Sequence, residues 1–145
     1  MFRVVVDTNV LVSALTAGGK PRRLLLRLLE EHKVILSRQI LAELADVLAR
    51  DKFNLKSSQI DSFLATLAKK SKIIPAVSRF KVVSEDPDDD ILINTAYKGK
   101  ADYIVTGDKH LIALKEFKTV QIITVTQMLD NLKQKARSIF DHETI

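Results

Sequence analysis

The sequence predicts an α/β fold on a mostly parallel sheet, and three observations carry that prediction. The chain opens on a short, nearly continuous β-branched run, Phe2-Arg-Val-Val-Val-Asp7, which suits a central strand covered on both faces better than an alternating edge strand. Similar runs recur at residues 34–36, 73–74, 103–106 and 120–124. Helix-period segments lie between most of them, the pattern of strands joined by helical crossovers.

Each helix has its own local signal. Gly18-Gly19 marks a turn, and Pro21 lies where a first-turn proline belongs, ahead of Leu24, Leu25, Leu28 and Leu29 at helical spacing. Ile40, Leu41, Leu44, Val47 and Leu48 form the apolar face of a further helix. Ser58 and Asp61 make a capping-box pattern that opens the next one, with Phe63, Leu64 and Leu67 as its buried face. A last helix covers residues 126 to about 135. The segment 136–145 is polar enough to extend that helix, fray, or pack on a partner. The expected organisation is therefore one domain over residues 1–135 and a tail over 136–145, without repeats or linkers.

A chain of 145 residues with 46% apolar content can bury a core as a single domain, hiding roughly 68–70% of its extended surface. The absence of cysteine excludes thiol catalysis, cysteine-ligated zinc and iron–sulfur clusters, and gives no sign of an oxidising compartment. No run approaches a membrane span of ~18 apolar residues, so a soluble cytoplasmic protein is expected. The formal charge of +5 is unevenly divided: residues 1–83 carry a net +8, residues 84–108 a net −5, and residues 109–145 a net +2. A basic protein suits a polyanionic partner. The acidic island needs its own explanation.

Ligands of parallel α/β sheets bind outside the carboxyl ends of the strands, and four groups of acids are predicted to fall there. Asp7 ends the first strand, where it also suits a helix N-cap. Glu43 lies three residues after Ile40 and four before Val47, on an apolar stripe where a carboxylate must sit at the edge, pair, be neutralised or bind a cation. Glu85-Asp86-Pro87-Asp88-Asp89-Asp90 holds five carboxylates in six residues. Pro87 at a first helical position makes Asp86 a natural N-cap, but the other acids exceed what a cap needs, and their repulsion asks for a cation. Tyr103-Ile-Val-Thr106 runs into Gly107-Asp108, which delivers a hydroxyl and a carboxylate to the same edge, Gly107 being free to take a positive φ. An all-oxygen site without His or Cys suits Mg²⁺ or Mn²⁺, ions that activate water and neutralise a phosphodiester.

These residues resemble the PIN domain. The runs Val-Val-Val-Asp7-Thr8-Asn9, Ile40-Leu-Ala-Glu43-Leu, Asp86-Pro-Asp-Asp-Asp90 and Ala101-Asp-Tyr-Ile-Val-Thr106-Gly-Asp108 are similar in order and spacing to its four motifs across residues 2–128. The third places the likeness in the VapC-like toxin branch. The resemblance implies a three-layer α/β/α sandwich around a parallel sheet of about five strands, and a Mg²⁺- or Mn²⁺-dependent site that cuts RNA. It also implies a small antitoxin partner and dimers. Asp7, Glu43 and Asp108 match the first, second and fourth acids, Asn9 the polar residue of the first motif, and Thr106 the hydroxyl beside the fourth acid. For the third acid, Asp90 is favoured by its spacing to Asp108, Asp89 is next, and Asp86 is read as the cap, with Asp88 left open.

The implied reaction is hydrolysis by a metal-bound water attacking phosphorus in line, with 3′-hydroxyl and 5′-phosphate products. A metal-supplied hydroxide removes the need for a histidine base, so His32, His110 and His142 are read as structural or solvated. Lys20, Arg22, Arg23 and Arg27 cluster near one helix start, where Arg22 and Arg23 in particular could grip RNA phosphates or simply form a solvated face. Three rivals fit less well. A phosphatase of the haloacid dehalogenase type needs an Asp where Asn9 stands, and a response-regulator receiver needs an acid after the third strand, where Ile73-Ile74-Pro75 has none. A PIN-like module without catalysis predicts a missing acid, and none is missing.

Overall fold

The computed structural model describes residues 1–75 and 87–143, with side chains over 1–75 and 89–134. Its centre is β1 (Arg3–Val6), whose Val4, Val5 and Val6 are all buried, as a strand flanked on both sides and covered on both faces requires. On one side β1 pairs in parallel with β2 (Lys33–Ser37), which pairs with β3 (Lys72–Ile74). On the other it pairs in parallel with β4 (Tyr103–Val105), which pairs with β6 (Val120–Ile123). These five strands are the predicted parallel sheet. A sixth, β5 (Glu116–Phe117), adds a short antiparallel edge to β6, giving the order β3-β2-β1-β4-β6-β5. The chain turns between them at Lys118, which takes a left-handed φ of 56°.

Among the described residues seven α-helices complete three α/β/α layers: α1 (Thr8–Thr16), α2 (Gly19–Glu31), α3 (Arg38–Leu48), α4 (Ser57–Lys70), α5 (Pro87–Lys98), α6 (Lys109–Leu114) and α7 (Val125–Glu143). Helix α2 packs on α1 and α7, while α3 packs on α1, α4 and α5. The core runs through the sheet as one cluster that includes Leu11, Leu28, Ile35, Leu44, Ile93 and Leu111, each fully buried.

One local expectation shifts, at the start of α4. Helix α2 begins at Gly19, which leaves Pro21 in its first turn as expected, where the N–H groups lack helical partners. Helix α4 is capped at Lys56, two residues before the expected Ser58 cap. The backbone N–H of Lys56 donates to Gln59 Oε1 at 2.9 Å, so the reciprocal bond comes from Gln59 instead of Asp61. Of the three fates open to the tail, the helix extends: α7 continues to Glu143. Pro87 opens α5 as expected, whereas Glu85 and Asp86 lie outside the described residues.

Candidate active site

The strand order reverses at β1. Its successors in the chain run outward through β2 and β3, and the later strands run outward through β4 and β6. The crevice at such a switch point, outside the carboxyl ends of the strands, is where α/β sheets bind ligands. Val6 and Val105 are register partners, so the residues that follow them emerge side by side.

Asp7 follows Val6. Its backbone N–H donates to the Val105 carbonyl at 3.0 Å, which carries the β1–β4 pairing one residue past the strand. Its extended backbone makes it the N-cap of α1, with Oδ1 accepting from the Asn9 N–H at 3.4 Å. The other oxygen, Oδ2, accepts from the Thr106 hydroxyl at 2.7 Å. Thr106 Oγ1 in turn accepts from the Asp108 N–H at 3.0 Å. Asp108 is itself the N-cap of α6, where its Oδ1 accepts from the N–H groups of His110 and Leu111 at 2.7 and 3.4 Å. Capping and site membership are thus compatible, because each carboxylate has a second oxygen. In Asp108 that oxygen has no donor among the described residues.

Asp7 is 8% exposed. Burial pushes its carboxyl above the ordinary range; the Thr106 hydroxyl and the Asn9 N–H pull it part of the way back, and the charge of Asp108 raises it further. Among the described residues neither Asp7 nor Asp108 has a basic side chain paired with it, the ion pair seen being Arg27–Glu31 on the outer face of α2. Two neighbouring carboxylates without a counter-charge are stabilised by a cation.

Glu43 is half-buried on α3, and its Oε2 accepts from the Thr8 hydroxyl at 3.2 Å. Thr8, 2% exposed, joins α3 to the start of α1 and so ties Glu43 to the residue beside Asp7. Sequence reasoning missed this link, since a contact 35 residues away leaves no local pattern. On α5, Asp89 is 5% exposed and Asp90 half-buried. The buried Asn94 holds the first turn there by donating from Nδ2 to the Asp90 carbonyl at 2.8 Å.

Among the described residues no three carboxylate or imidazole groups close into a metal cage. The donor set fits a different kind of site: Mg²⁺ and Mn²⁺ take one or two carboxylates and keep most of their waters, and the Asp7–Asp108 pair supplies two hard oxygen donors with one acceptor atom open.

The basic residues sort differently from their sequence clustering. Arg22 donates from Nε to the Ala14 carbonyl at 2.8 Å and from Nη2 to Leu15 at 2.9 Å, closing the carbonyl end of α1. Arg23 is exposed and keeps its head group in solvent. Of the histidines, His32 is structural and His110 solvated. His32 Nδ1 accepts from the Phe2 N–H at 2.9 Å, its ring stacks on Phe2 with centroids 5.4 Å apart, and both lie at the opposite edge of the sheet. His110 is exposed. The His142 side chain lies outside the described ones.

Comparison with known proteins agrees with this fold. The PIN domain family model matches residues 3–110, a span that contains Asp7, Glu43, Asp89, Asp90 and Asp108. An uncharacterized protein of Methanocaldococcus jannaschii is 36% identical over 127 residues, covering 79% of this chain and 76% of that protein. Among solved structures, VapBC2 from Rickettsia felis, bound to a DNA fragment from its promoter, superposes with a TM-score of 0.60 at 17% identity, over 84% of this chain and 98% of that one. The PIN domain endonuclease Utp24 superposes with a TM-score of 0.53 at 16% identity, over 84% of each chain. At those identities the two structures speak for the fold, and the match over residues 3–110 speaks for descent: this chain belongs to the PIN domain family.

Proposed function

We propose that this protein is a Mg²⁺- or Mn²⁺-dependent endoribonuclease of the VapC-like branch, the toxin of a toxin–antitoxin pair. The observation that carries the reading is the carboxylate pair at the switch point, Asp7 and Asp108 bridged through Thr106. Asp7 and Asp108 would hold the metal, with Asp90 or Asp89 and Glu43 completing the acidic surround. The ion would supply an activated water and neutralise the phosphoryl oxygens. Thr106 orients the Asp7 carboxylate, Thr8 orients Glu43, and the buried position of Asp7 excludes the water that would otherwise compete for it. Family members are nucleases as a rule, and the fold shared with VapBC2 and the Asp-Pro-Asp-Asp-Asp run support the toxin branch.

RNA as substrate and a small antitoxin as partner belong to this proposal, as does a homodimer. The test is incubation of purified protein with cellular RNA and Mn²⁺ or Mg²⁺. Cleavage by wild type and its loss in Asp7→Asn and with EDTA are expected, and intact RNA in every lane would end the enzymatic reading. Induced expression addresses the toxin role: growth arrest that Asp7→Asn abolishes supports it. Unimpaired growth with RNA still cut in vitro would favour a role in RNA processing without a toxin function.

A further inference from the structure

Beside the carboxylates, on the β4–β6 side of the switch point, lies an open groove of about 320 Å³, at the small end of the range that holds one small organic group. Helix α1, the start of α2, the loop after β4 and the start of α7 enclose it. Thr106 and Gly107, next to Asp108, form the end nearest the site. The walls are apolar where Pro21 and Val125 stand.

Three polar side chains line the groove without a protein partner among the described residues: the Asn9 amide and the hydroxyls of Ser13 and Thr126. Asn9 and Ser13 are one helical turn apart on a single face of α1, which brings their side chains together. Of the described residues in the lining, none is charged and none is aromatic. No side chain of that lining offers the charge with which Arg or Lys grips a phosphate, and none offers a ring to stack a base. The lining suits the edge of a nucleobase, which presents donors and acceptors side by side. A carboxamide matches such a pair, and hydroxyls serve in either sense.

We infer that this groove reads one nucleobase of the RNA next to the scissile phosphate, through Asn9, Ser13 and Thr126. The inference rests on the nuclease reading above and makes cleavage base-selective at one fixed position. Losing one hydrogen bond of about 1.4 kcal/mol lowers the preference about tenfold.

The experiment uses a pool of single-stranded RNA with randomised sequence, cut by the full chain with Mn²⁺, and the ends are sequenced. Wild type is expected to prefer one base at one position beside the cut. Ser13→Ala and Thr126→Val each lower that preference three- to tenfold, and Thr126→Ser, which keeps the hydroxyl, restores it. Thermal melting of each variant guards against misfolding. A wild type that cuts with no preference beside the scissile bond overturns the inference and leaves the nuclease reading intact. So does a preference that neither variant moves. Binding of labelled homopolymeric RNAs to Asp7→Asn supplies the second arm. If wild type fails to cut, base-selective binding that Ser13→Ala weakens upholds the groove while the nuclease reading falls. Binding that ignores the base overturns it.

Discussion

Two aspartates six residues apart bracket β4, and the structure uses them in opposite ways. Asp102 precedes the strand, at the amino edge of the sheet, and Asp108 follows it at the carboxyl edge. Asp102 is consumed in closing the fold: its Oδ2 accepts from the Arg3 N–H at 2.8 Å, its N–H donates to the Arg3 carbonyl at 2.7 Å, and its carbonyl accepts from Gln121 at 3.0 Å. The Arg3 guanidinium then binds the carbonyls of Gly99 and Lys100. Asp108 shares the opposite edge with the buried Asp7 and keeps one oxygen without a donor among the described residues. The same residue type stitches one edge together and leaves an oxygen at the other without a donor among the described residues. The difference teaches that charge alone does not mark a site. What marks it is a carboxylate held rigidly by one oxygen while the other stays open.

That contrast can be broken at either edge. The largest expected effect is at Asp7: Asp7→Asn should cut the cleavage rate at least about a hundredfold without loosening the fold. Because burial and Asp108 raise the Asp7 carboxyl, the folded chain binds that proton more readily than the unfolded one. Its contribution to stability therefore falls as pH rises from the ordinary carboxylate pKa through the raised one. In EDTA, Asp7→Asn should melt higher than wild type at pH 7, with the advantage vanishing as the pH drops below the carboxylate range. A lower melting temperature at pH 7 would contradict the electrostatic picture.

At the other edge, Gly99→Ala should be the most damaging change. A Cβ there would stand 2.5 Å from Ile35 Cγ2 and 3.0 Å from the Thr95 carbonyl oxygen, an overpacking that costs about 1–3 kcal/mol, measured by urea unfolding. Cleavage per folded molecule should persist, since the clash is remote from Asp7. Thr106→Val removes the hydroxyl between Asp7 and Asp108 and should slow cleavage about tenfold, whereas Thr106→Ser should recover most of the rate. A fully active Thr106→Val would deny the hydroxyl its orienting role. The smallest effect is at Asp102: Asp102→Ala should cost about 1 kcal/mol of stability and leave the metal dependence of cleavage as in wild type.

Much of this was legible in the chain. The valines before Asp7 and the recurring β-branched runs specify the parallel strands through local apolar patterning, which acts within a few residues. Asp7 and Asp108 were legible because each directly ends such a run. The two-residue strand β5 was not, being too short to show a period and turning on Lys118 rather than on glycine. The start of α4 was misread because Ser-Ser-Gln offers two overlapping capping patterns, and Gln59 reaches back to Lys56. For Arg22 the basic neighbours left a phosphate grip and a solvated face both open, and neither pattern could show that its partners are carbonyls of the preceding helix.

By itself, then, the sequence determined the order of the five parallel strands, the acids that terminate them and the family. Those features follow from side-chain periodicity and from residue types at the ends of runs. Tertiary structure alone decided which acids become neighbours. Pairing β4 beside β1 brings Asp108 to Asp7 across 101 positions of sequence, and packing α3 on α1 brings Glu43 to Thr8. Register and helix packing set those distances, and both emerge only when the whole core closes at once.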